Sequence, residues 1–395
     1  MKVLFIADIL PELHSGSAVR NYYLLKTLAN KYDVDFVGLT NDKNVVSMNI
    51  YKNLHTKSVT ILNRKKIPFF KKLFYLIRGE IPYIQQRRNI HLPEEISNTL
   101  LMYDAIHVAE LNSYFMLEKY TRDIKNPIIL DAHNVEYIRF SSEIKHASLF
   151  TKFVGKILSH KLKQLEIQAL KSINHLCVCS SVDKKYFKKY ILEKNITVIP
   201  NGVNISYYTS HNKKTSGNAN ILLFMGLLSY FPNDEGLQYY LSKIHPVIKK
   251  YIPDIEFHII GKDAPTWLEE ESKKDKSIKL LGFVEDTRSY ITNATICIAP
   301  LLSGSGTRLK ILEYMAIKKP IVATIQAAEG IEVTNKKNIL LASNTDEFIQ
   351  EIISLFNNKK LSKDLGIHAQ KLVKDTYDWK IIGKEFISMY EHIFD

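Results

Sequence analysis

The sequence predicts an α/β protein of two doubly wound domains, each built around a parallel β-sheet. The chain has 395 residues, more than one hydrophobic core usually supports. Short apolar runs alternate with stretches of helical period, which is the pattern of consecutive βαβ units. The alternation stops in a polar segment at residues 210–220 and then starts again, so this segment is the predicted linker.

In the first half, apolar residues 3–7 predict a strand, residues 19–31 a helix and residues 34–39 a second strand. Four later apolar runs are expected to complete the same sheet, over residues 105–108, 128–130, 175–179 and 197–199.

The second half repeats this order. Its predicted strands cover residues 221–225, 256–260, 278–281, 296–299 and 320–324. Helices are predicted over residues 237–251 and 309–317, and apolar spacing from Trp379 to Phe394 predicts a final helix. The predicted domains are therefore residues 1–205 and 206–376, followed by a C-terminal helix in residues 377–395.

The composition is that of a soluble globular protein, with 46% hydrophobic and 24% charged residues. Three cysteines form neither a disulfide framework nor a zinc spacing, which predicts a cytoplasmic location. Of the net charge of +13, residues 1–200 carry +12, from 30 basic and 18 acidic residues. This half is expected to face an anionic partner. Because no nucleic-acid-binding module is present, a membrane surface is favoured over nucleic acid.

Two loops follow predicted strands at the sheet edge where α/β proteins bind ligands. The first, residues 11–20, has the sequence Pro-Glu-Leu-His-Ser-Gly-Ser-Ala-Val-Arg. Gly16 and Ser17 open a helix whose N-terminus favours an anion, and Arg20 lies one turn further. The loop lacks the dinucleotide fingerprint G-x-G-x-x-G, and the alternative is a glycine required only by the turn.

The second loop, residues 303–307, is the most informative part of the chain. Its two glycines lie directly before two cations at the predicted start of a helix. Backbone N–H groups, the helix dipole and the two cations would converge on a diphosphate. A carboxylate one turn further could accept hydrogen bonds from a ribose diol, and solvated helix charges are the alternative. The donor-binding candidates are Gly304, Ser305, Gly306, Thr307, Arg308, Leu309, Lys310 and Glu313.

Taken together, these segments resemble the family 4 (group 1) retaining glycosyltransferases of the GT-B fold. The matching segments are the Gly16 loop and residues 131–136, 198–203, 282–284, 304–316 and 320–322. The resemblance implies two facing Rossmann-like domains with an interdomain cleft. It further implies that the first domain binds the acceptor, that the second binds the nucleotide sugar, and that the last helix crosses back to the first.

The resemblance also assigns site residues. It places His133 near the transferred sugar, although a histidine capping a strand is the alternative. Gly226, Phe283 and Val284 join the donor-binding set. Two departures weaken the inference of the donor sugar. Ser305 stands where the family commonly has a glutamate, and residues 226–235 hold no cation where many members have an arginine and a lysine. We expect Arg308 and Lys310 to neutralise the diphosphate instead.

Residues 64–78 contain six cations and no acid, with apolar residues on one helical face. This composition is typical of a helix in a membrane interface, and a surface helix packed on its own domain is the equal alternative. The membrane-contact candidates are Arg64, Lys65, Lys66, Phe70, Lys71, Lys72 and Phe74.

The predicted function is retaining transfer of a sugar from a nucleotide diphosphate sugar of the UDP or GDP type to a glycan hydroxyl. The glycan is expected to be lipid-linked, in cell-surface polysaccharide or glycoconjugate synthesis, with the enzyme on the inner face of the membrane. In the family, the departing phosphate is thought to take the acceptor proton. No metal and no cofactor are expected. The alternatives are a non-catalytic partner of an active glycosyltransferase and a sugar-nucleotide 2-epimerase.

Overall fold

The structure is a computed structural model that describes residues 1–13, 16–40, 54–144, 149–210, 220–304 and 306–394. The chain divides into two compact units. Unit 1 comprises Met1–Pro200 and Gly383–Asp395, and unit 2 comprises Asn201–Ile382. Within the predicted linker, residues 211–219 lie outside the described residues.

A seven-stranded sheet forms the centre of unit 1. Its strands are β1 (Lys2–Ala7), β2 (Asp33–Thr40), β3 (Ser58–Asn63), β4 (Ala105–Ala109), β5 (Ile128–Ala132), β6 (His175–Val178) and β7 (Ile196–Val198). They pair in parallel in the order β3-β2-β1-β4-β5-β6-β7. Because the order reverses between β1 and β4, a crevice for ligands is expected beyond the carboxyl ends of these two strands.

The central strands β1, β4 and β5 are buried along almost their whole length, as expected for a parallel sheet that helices cover. The helices are α1 (Gly16–Ala29), α2 (Phe69–Ile77), α3 (Pro82–Arg88), α4 (Glu94–Ser97), α5 (Glu110–Leu117), α6 (Glu136–Glu143), α7 (Leu149–Leu170) and α8 (Ser181–Phe187).

Unit 2 has a six-stranded parallel sheet in the order β10-β9-β8-β11-β12-β13. These strands are β8 (Asn220–Met225), β9 (Ile255–Ile260), β10 (Ile278–Gly282), β11 (Ile296–Ala299), β12 (Ile321–Thr324) and β13 (Leu340–Ala342). The helices are α9 (Ile205–Thr209), α10 (Phe231–Tyr239), α11 (His245–Tyr251), α12 (Thr266–Lys274), α13 (Arg288–Asn293), α14 (Leu309–Ala316), α15 (Thr345–Asn357) and α16 (Lys359–Leu372).

The final helix, α17 (Trp379–Phe394), is continuous and covers the predicted residues. From Gly383 onward it belongs to unit 1. There the Tyr390 hydroxyl lies 2.9 Å from Nδ1 of the buried His107, whose ring stacks on Phe5. A Cβ at Gly383 would lie 3.1 Å from Thr27 Oγ1, so the absent side chain permits close packing on α1.

The structure corrects three local predictions. Strands β3 and β13 were not predicted; both are edge strands, and β3 is only half-buried, so neither has a long apolar run. The helix predicted over residues 237–251 begins earlier, at Phe231, and is interrupted by a π turn at Tyr240–Ile244. Pro246 follows in the first turn of α11 and has no N–H to continue the helical hydrogen bonds.

Candidate functional site

The loop between β11 and α14 wraps around the Arg308 side chain. Gly304 and Gly306 adopt φ values of +99° and +79°, a backbone region that favours glycine. Arg308 Nη1 donates to the Gly306 carbonyl at 2.6 Å, and Nη2 donates to the Ser303 carbonyl at 3.3 Å. Arg308 is buried, and burial lowers the pKa of its guanidinium. The predicted glycine loop thus holds a desolvated cation at the start of α14.

Two hydroxyls in the same loop lack partners among the described residues. Ser303 Oγ and Thr307 Oγ1 are buried and form no hydrogen bond. Such groups are costly unless a ligand or solvent satisfies them. Ser305, which the sequence also placed in the donor set, lies outside the described residues. The loop therefore offers hydroxyl groups next to Arg308 at the N-terminus of a helix.

Lys310 extends from α14 towards the end of β8. Its Nζ donates to Asn233 Oδ1 at 2.8 Å and lies 3.9 Å from the centre of the Phe224 ring. Burial, followed by the nearby Arg308, holds the pKa of Lys310 well below its ordinary value. A Cβ at Gly226 would lie 2.9 Å from Lys310 Nζ and 2.7 Å from Asn233 Nδ2. The glycine after β8 therefore leaves room for the two polar side chains.

Glu313 lies one turn further along α14 and is half-buried. Burial raises the pKa of this carboxyl, while a hydrogen bond from the Tyr208 hydroxyl and the charge of Lys310 act in the opposite direction. Leu309, by contrast, packs against the core of unit 2. The structure thus places Arg308 at the N-cap of α14 and Lys310 and Glu313 on the helix itself, with Tyr208 as an additional neighbour.

An open surface cavity of about 610 Å³ lies beyond the carboxyl ends of β9 and β10. The predicted Phe283 lines it, is 53% exposed, and has Lys262 Nζ 4.0 Å from its ring centre. Val284 packs on the core instead. An exposed aromatic ring at a strand end suits stacking with a planar group. The other lining residues are Gly261, Lys262, Asp263, Ala264, Glu269, Leu280, Leu281 and Gly282.

In unit 1, a buried network connects Arg20, Asp131, His133 and Glu110. Arg20 donates to Asp131 through Nε at 2.8 Å and Nη2 at 2.6 Å, and to the Ile199 carbonyl at 2.7 Å. Burial raises the pKa of Asp131, but Arg20 and His133 outweigh it and hold that pKa far below its ordinary value. These contacts direct Arg20 into the core of unit 1 and give no support to its predicted donor-binding role.

His133 lies between two carboxylates. Its Nε2 is 3.1 Å from Asp131 Oδ2, and its Nδ1 is 2.8 Å from Glu110 Oε1. Burial lowers the pKa of His133, but Glu110 and Asp131 more than compensate and raise it to about 9. Gly16 and Ser17 begin α1 beside this network, where Ser17 hydrogen-bonds the Glu110 carboxylate.

The basic segment forms helix α2, and none of its nine residues is buried. Phe70 and Phe74 are 69% and 53% exposed, and Lys65, Lys66, Lys71 and Lys72 are also exposed. The alternative of an apolar face packed on its own domain is therefore wrong for the described residues. Arg64 differs from the other candidates, because its Nη2 lies 2.9 Å from Asp8 Oδ1 inside unit 1.

Within the described ranges, no three His, Cys, Asp or Glu side chains are grouped so that they could hold a metal ion. The same part of the chain contains no helix of the length and hydropathy that a membrane span requires.

Comparison with known proteins identifies the family. Residues 219–358 match the family described as glycosyl transferases group 1. This segment of unit 2 belongs to the group 1 glycosyltransferases. The two-sheet α/β architecture of the chain is that of the GT-B fold, as predicted.

Individual relatives of the chain are distant. A protein of Klebsiella pneumoniae, described as an uncharacterized 44.6 kDa protein in a cps region, is 28% identical over 73% of this chain and 74% of its own. Sucrose-phosphate synthase from Thermosynechococcus elongatus has a TM-score of 0.74 at 15% identity, covering 100% of this chain and 99% of its own. HepE from Anabaena, solved with UDP, has a TM-score of 0.67 at 16% identity, covering 99% and 100%.

Three residues that contact the candidate side chains were not predicted from the sequence: Asn233, Tyr208 and Glu110. Glu110 directly follows the apolar run of β4, so its position at a strand end was a usable signal. Asn233 lies in the first turn of α10 and Tyr208 in the short α9, and no local pattern connects either with α14.

Proposed function

We propose that this glycosyltransferase moves a sugar from a nucleoside diphosphate, of the UDP or GDP type, to a hydroxyl of a glycan with retention of the anomeric configuration. The observation that carries the proposal is the pair of cations at the N-terminus of α14, the buried Arg308 and the half-buried Lys310. The Ser303 and Thr307 hydroxyls beside them suit the oxygens of a diphosphate. The UDP bound by HepE supports a nucleotide ligand for this fold.

In the proposed step, the acceptor oxygen forms a bond with the anomeric carbon while the bond from that carbon to the diphosphate oxygen breaks. The proton of the acceptor hydroxyl goes to the departing diphosphate on the same face. Negative charge grows on the diphosphate as the bond breaks, and a cation there stabilises the transition state more than the ground state. Arg308, Lys310 and the α14 dipole supply that stabilisation.

We further propose that transfer needs neither a metal nor a cofactor. Two cations and a helix N-terminus carry enough positive charge to balance a diphosphate. The ribose diol would be bound by Glu313, whose carboxyl lies one turn along the same helix. The base would stack on the exposed Phe283 ring beside the cavity at the ends of β9 and β10.

The acceptor we propose is a lipid-linked glycan of cell-surface polysaccharide or glycoconjugate synthesis, with the enzyme bound peripherally to the inner face of the membrane. The relative described as a protein in a cps region supports an acceptor of polysaccharide synthesis. Helix α2 supports binding to the membrane. Its Phe69 and Ile77 side chains are 81% and 78% exposed, which is costly in water and favourable at a lipid interface. The exposed lysines around them complement anionic headgroups.

The deciding experiment measures UDP and GDP binding by calorimetry in EDTA for the wild type and for Arg308→Ala. We expect one nucleotide to bind without metal, and Arg308→Ala to lower both donor affinity and kcat. The anomeric configuration of the product is then read by NMR. No binding of either nucleotide would overturn the proposal.

The alternatives give different outcomes in the same assay. A non-catalytic partner would bind nucleotide but transfer sugar to no glycan acceptor. A 2-epimerase would release UDP and an epimerised sugar without any acceptor. Inversion at the anomeric carbon would overturn the retaining mechanism alone.

A further inference from the structure

Glu110 has a backbone conformation that a glutamate rarely adopts. It is the first residue after β4 and has a φ of +70°. In the left-handed region the Cβ of any residue other than glycine lies too close to the backbone, so the conformation is strained. Glu110 begins helix α5, in which every residue except Asn112 is buried, so the packing of this helix can hold the conformation. Strain of this kind is concentrated at functional sites, where it fixes the position of one residue.

The position of Glu110 in the sheet is that of a ligand-binding residue. The strand order reverses between β1 and β4, and ligands of doubly wound sheets bind beyond the carboxyl ends at such a point. Glu110 directly follows β4, and its carboxylate is hydrogen-bonded by Ser17 from the first turn of α1, the helix that follows β1. The two residues therefore meet across this switch point.

His133 is held between two carboxylates. Its Nε2 hydrogen-bonds Asp131 Oδ2 at 3.1 Å, and its Nδ1 lies 2.8 Å from Glu110 Oε1 in a close charge pair without hydrogen-bond geometry. Asp131 is fixed in turn by Arg20. The two cations and two carboxylates of this network balance each other, so His133 serves to keep Glu110 ionised in a buried position. Burial raises the pKa of Glu110, but the His133 charge outweighs it and the pKa falls below its ordinary value.

We propose that Glu110 is the residue of unit 1 that contacts the acceptor sugar, and that His133 is a positioning residue that orients the Glu110 carboxylate. A carboxylate only accepts hydrogen bonds, with about four lone-pair sites on its two oxygens, and sugar hydroxyls are donors. This carboxylate would also repel a phosphate, so it selects a neutral sugar at the reacting end of the acceptor. The inference rests on the proposed glycosyl transfer and assigns the acceptor contact within it.

The test uses Glu110→Gln, which keeps the shape of the side chain and removes its charge. Loss of a hydrogen bond to a charged group is expected to raise the acceptor KM about ten- to a hundred-fold. The Kd for the nucleotide should stay within about two-fold of the wild-type value, because the mutation removes a contact with the acceptor and none with the donor. Glu118→Gln is the matched control, because Glu118 pairs with Arg88 in a half-exposed ion pair of the same unit; its acceptor KM should not change.

Two further measurements separate contact from structural support. Acceptor analogues that each lack one hydroxyl are assayed with the wild type and with Glu110→Gln. For the analogue that lacks the hydroxyl contacted by Glu110, the two enzymes should have the same acceptor KM. Should Glu110→Gln fold poorly, Glu110→Asp keeps the charge balance of the network while withdrawing the carboxylate. It is expected to retain the wild-type melting temperature and still raise the acceptor KM.

The positioning role of His133 has its own readout. In His133→Gln the Glu110 carboxyl loses its cation, so burial should raise its pKa and move the acid-side loss of activity to higher pH. The inference would be overturned if the acid side of the pH–activity profile were the same in His133→Gln as in the wild type. It would also be overturned if Glu110→Gln and Glu110→Asp were both active with the wild-type acceptor KM. A wild type that binds no nucleotide would instead overturn the proposed function.

Discussion

Lys310 Nζ on α14 and Asn233 Oδ1 on α10 lie 2.8 Å apart, and this hydrogen bond fixes the buried ammonium at the end of β8. Asn233 is itself held by a hydrogen bond from its Nδ2 to the Leu227 carbonyl at 2.8 Å. The amide oxygen therefore positions the lysine Nζ without placing a negative charge beside it.

The first prediction concerns this amide. Asn233→Ala removes the oxygen that orients Lys310, and donor affinity measured by calorimetry should fall about ten-fold, the value of one hydrogen bond to a charged group. Asn220→Ala is the control, since its side chain bonds to Asp254 at the amino end of β8. Equal donor affinity in both variants would show that Asn233 does not position the lysine.

The second prediction is proton uptake on donor binding. Burial lowers the pKa of Lys310, and a bound diphosphate would raise it again, so nucleotide binding should take up protons and weaken as pH rises. Calorimetry at alkaline pH in two buffers of different ionisation enthalpy measures this uptake. Lys310→Gln should abolish it, whereas Lys360→Gln, at an exposed position on α16, should leave it intact. Identical heats in both buffers for the wild type would contradict the linkage.

The third prediction concerns Glu313. As a ribose-diol acceptor it would make one or two charge-assisted hydrogen bonds, each contributing about 1.5–3 kcal/mol. Glu313→Gln should therefore lower kcat/KM for the nucleotide sugar by about ten- to several-hundred-fold. Its melting temperature without ligand should match the wild type. Glu351→Gln, on α15, is the control. Wild-type turnover in Glu313→Gln would exclude the ribose from this position.

The fourth prediction tests α2 at the membrane. Replacing Lys65, Lys66, Lys71 and Lys72 by glutamine should weaken binding to anionic vesicles by about 1 kcal/mol per charge near the surface, and less at high salt. The same change at Lys359, Lys360, Lys363 and Lys371 in unit 2 lowers the net charge equally and should have little effect. Replacing Phe70 and Phe74 by serine should weaken binding at every salt concentration. Co-sedimentation measures all three, and equal loss in both lysine variants would indicate unspecific attraction.

Much of the fold was predictable because parallel strands covered on both faces leave long apolar runs in the sequence. Strand β11 and helix α17 have the predicted bounds, and α14 differs by one residue. The donor-loop candidates Gly304, Gly306 and Arg308 also lie together, because they are neighbours in the chain and a strand–loop–helix connection holds them.

Other features depended on the tertiary structure. The composition of α2 was equally compatible with a packed helix and an exposed one, and only the solvent exposure of Phe70 decided between them. Arg20 was expected to face a ligand but is turned towards Asp131, 111 residues away. Glu110 and His133 meet because β4 and β5 are adjacent in the sheet. The periodicity of the sequence shows which side of a helix or strand is buried. The partners of a polar side chain depend instead on which strand ends become neighbours in the folded sheet. A short stretch of sequence does not contain that information.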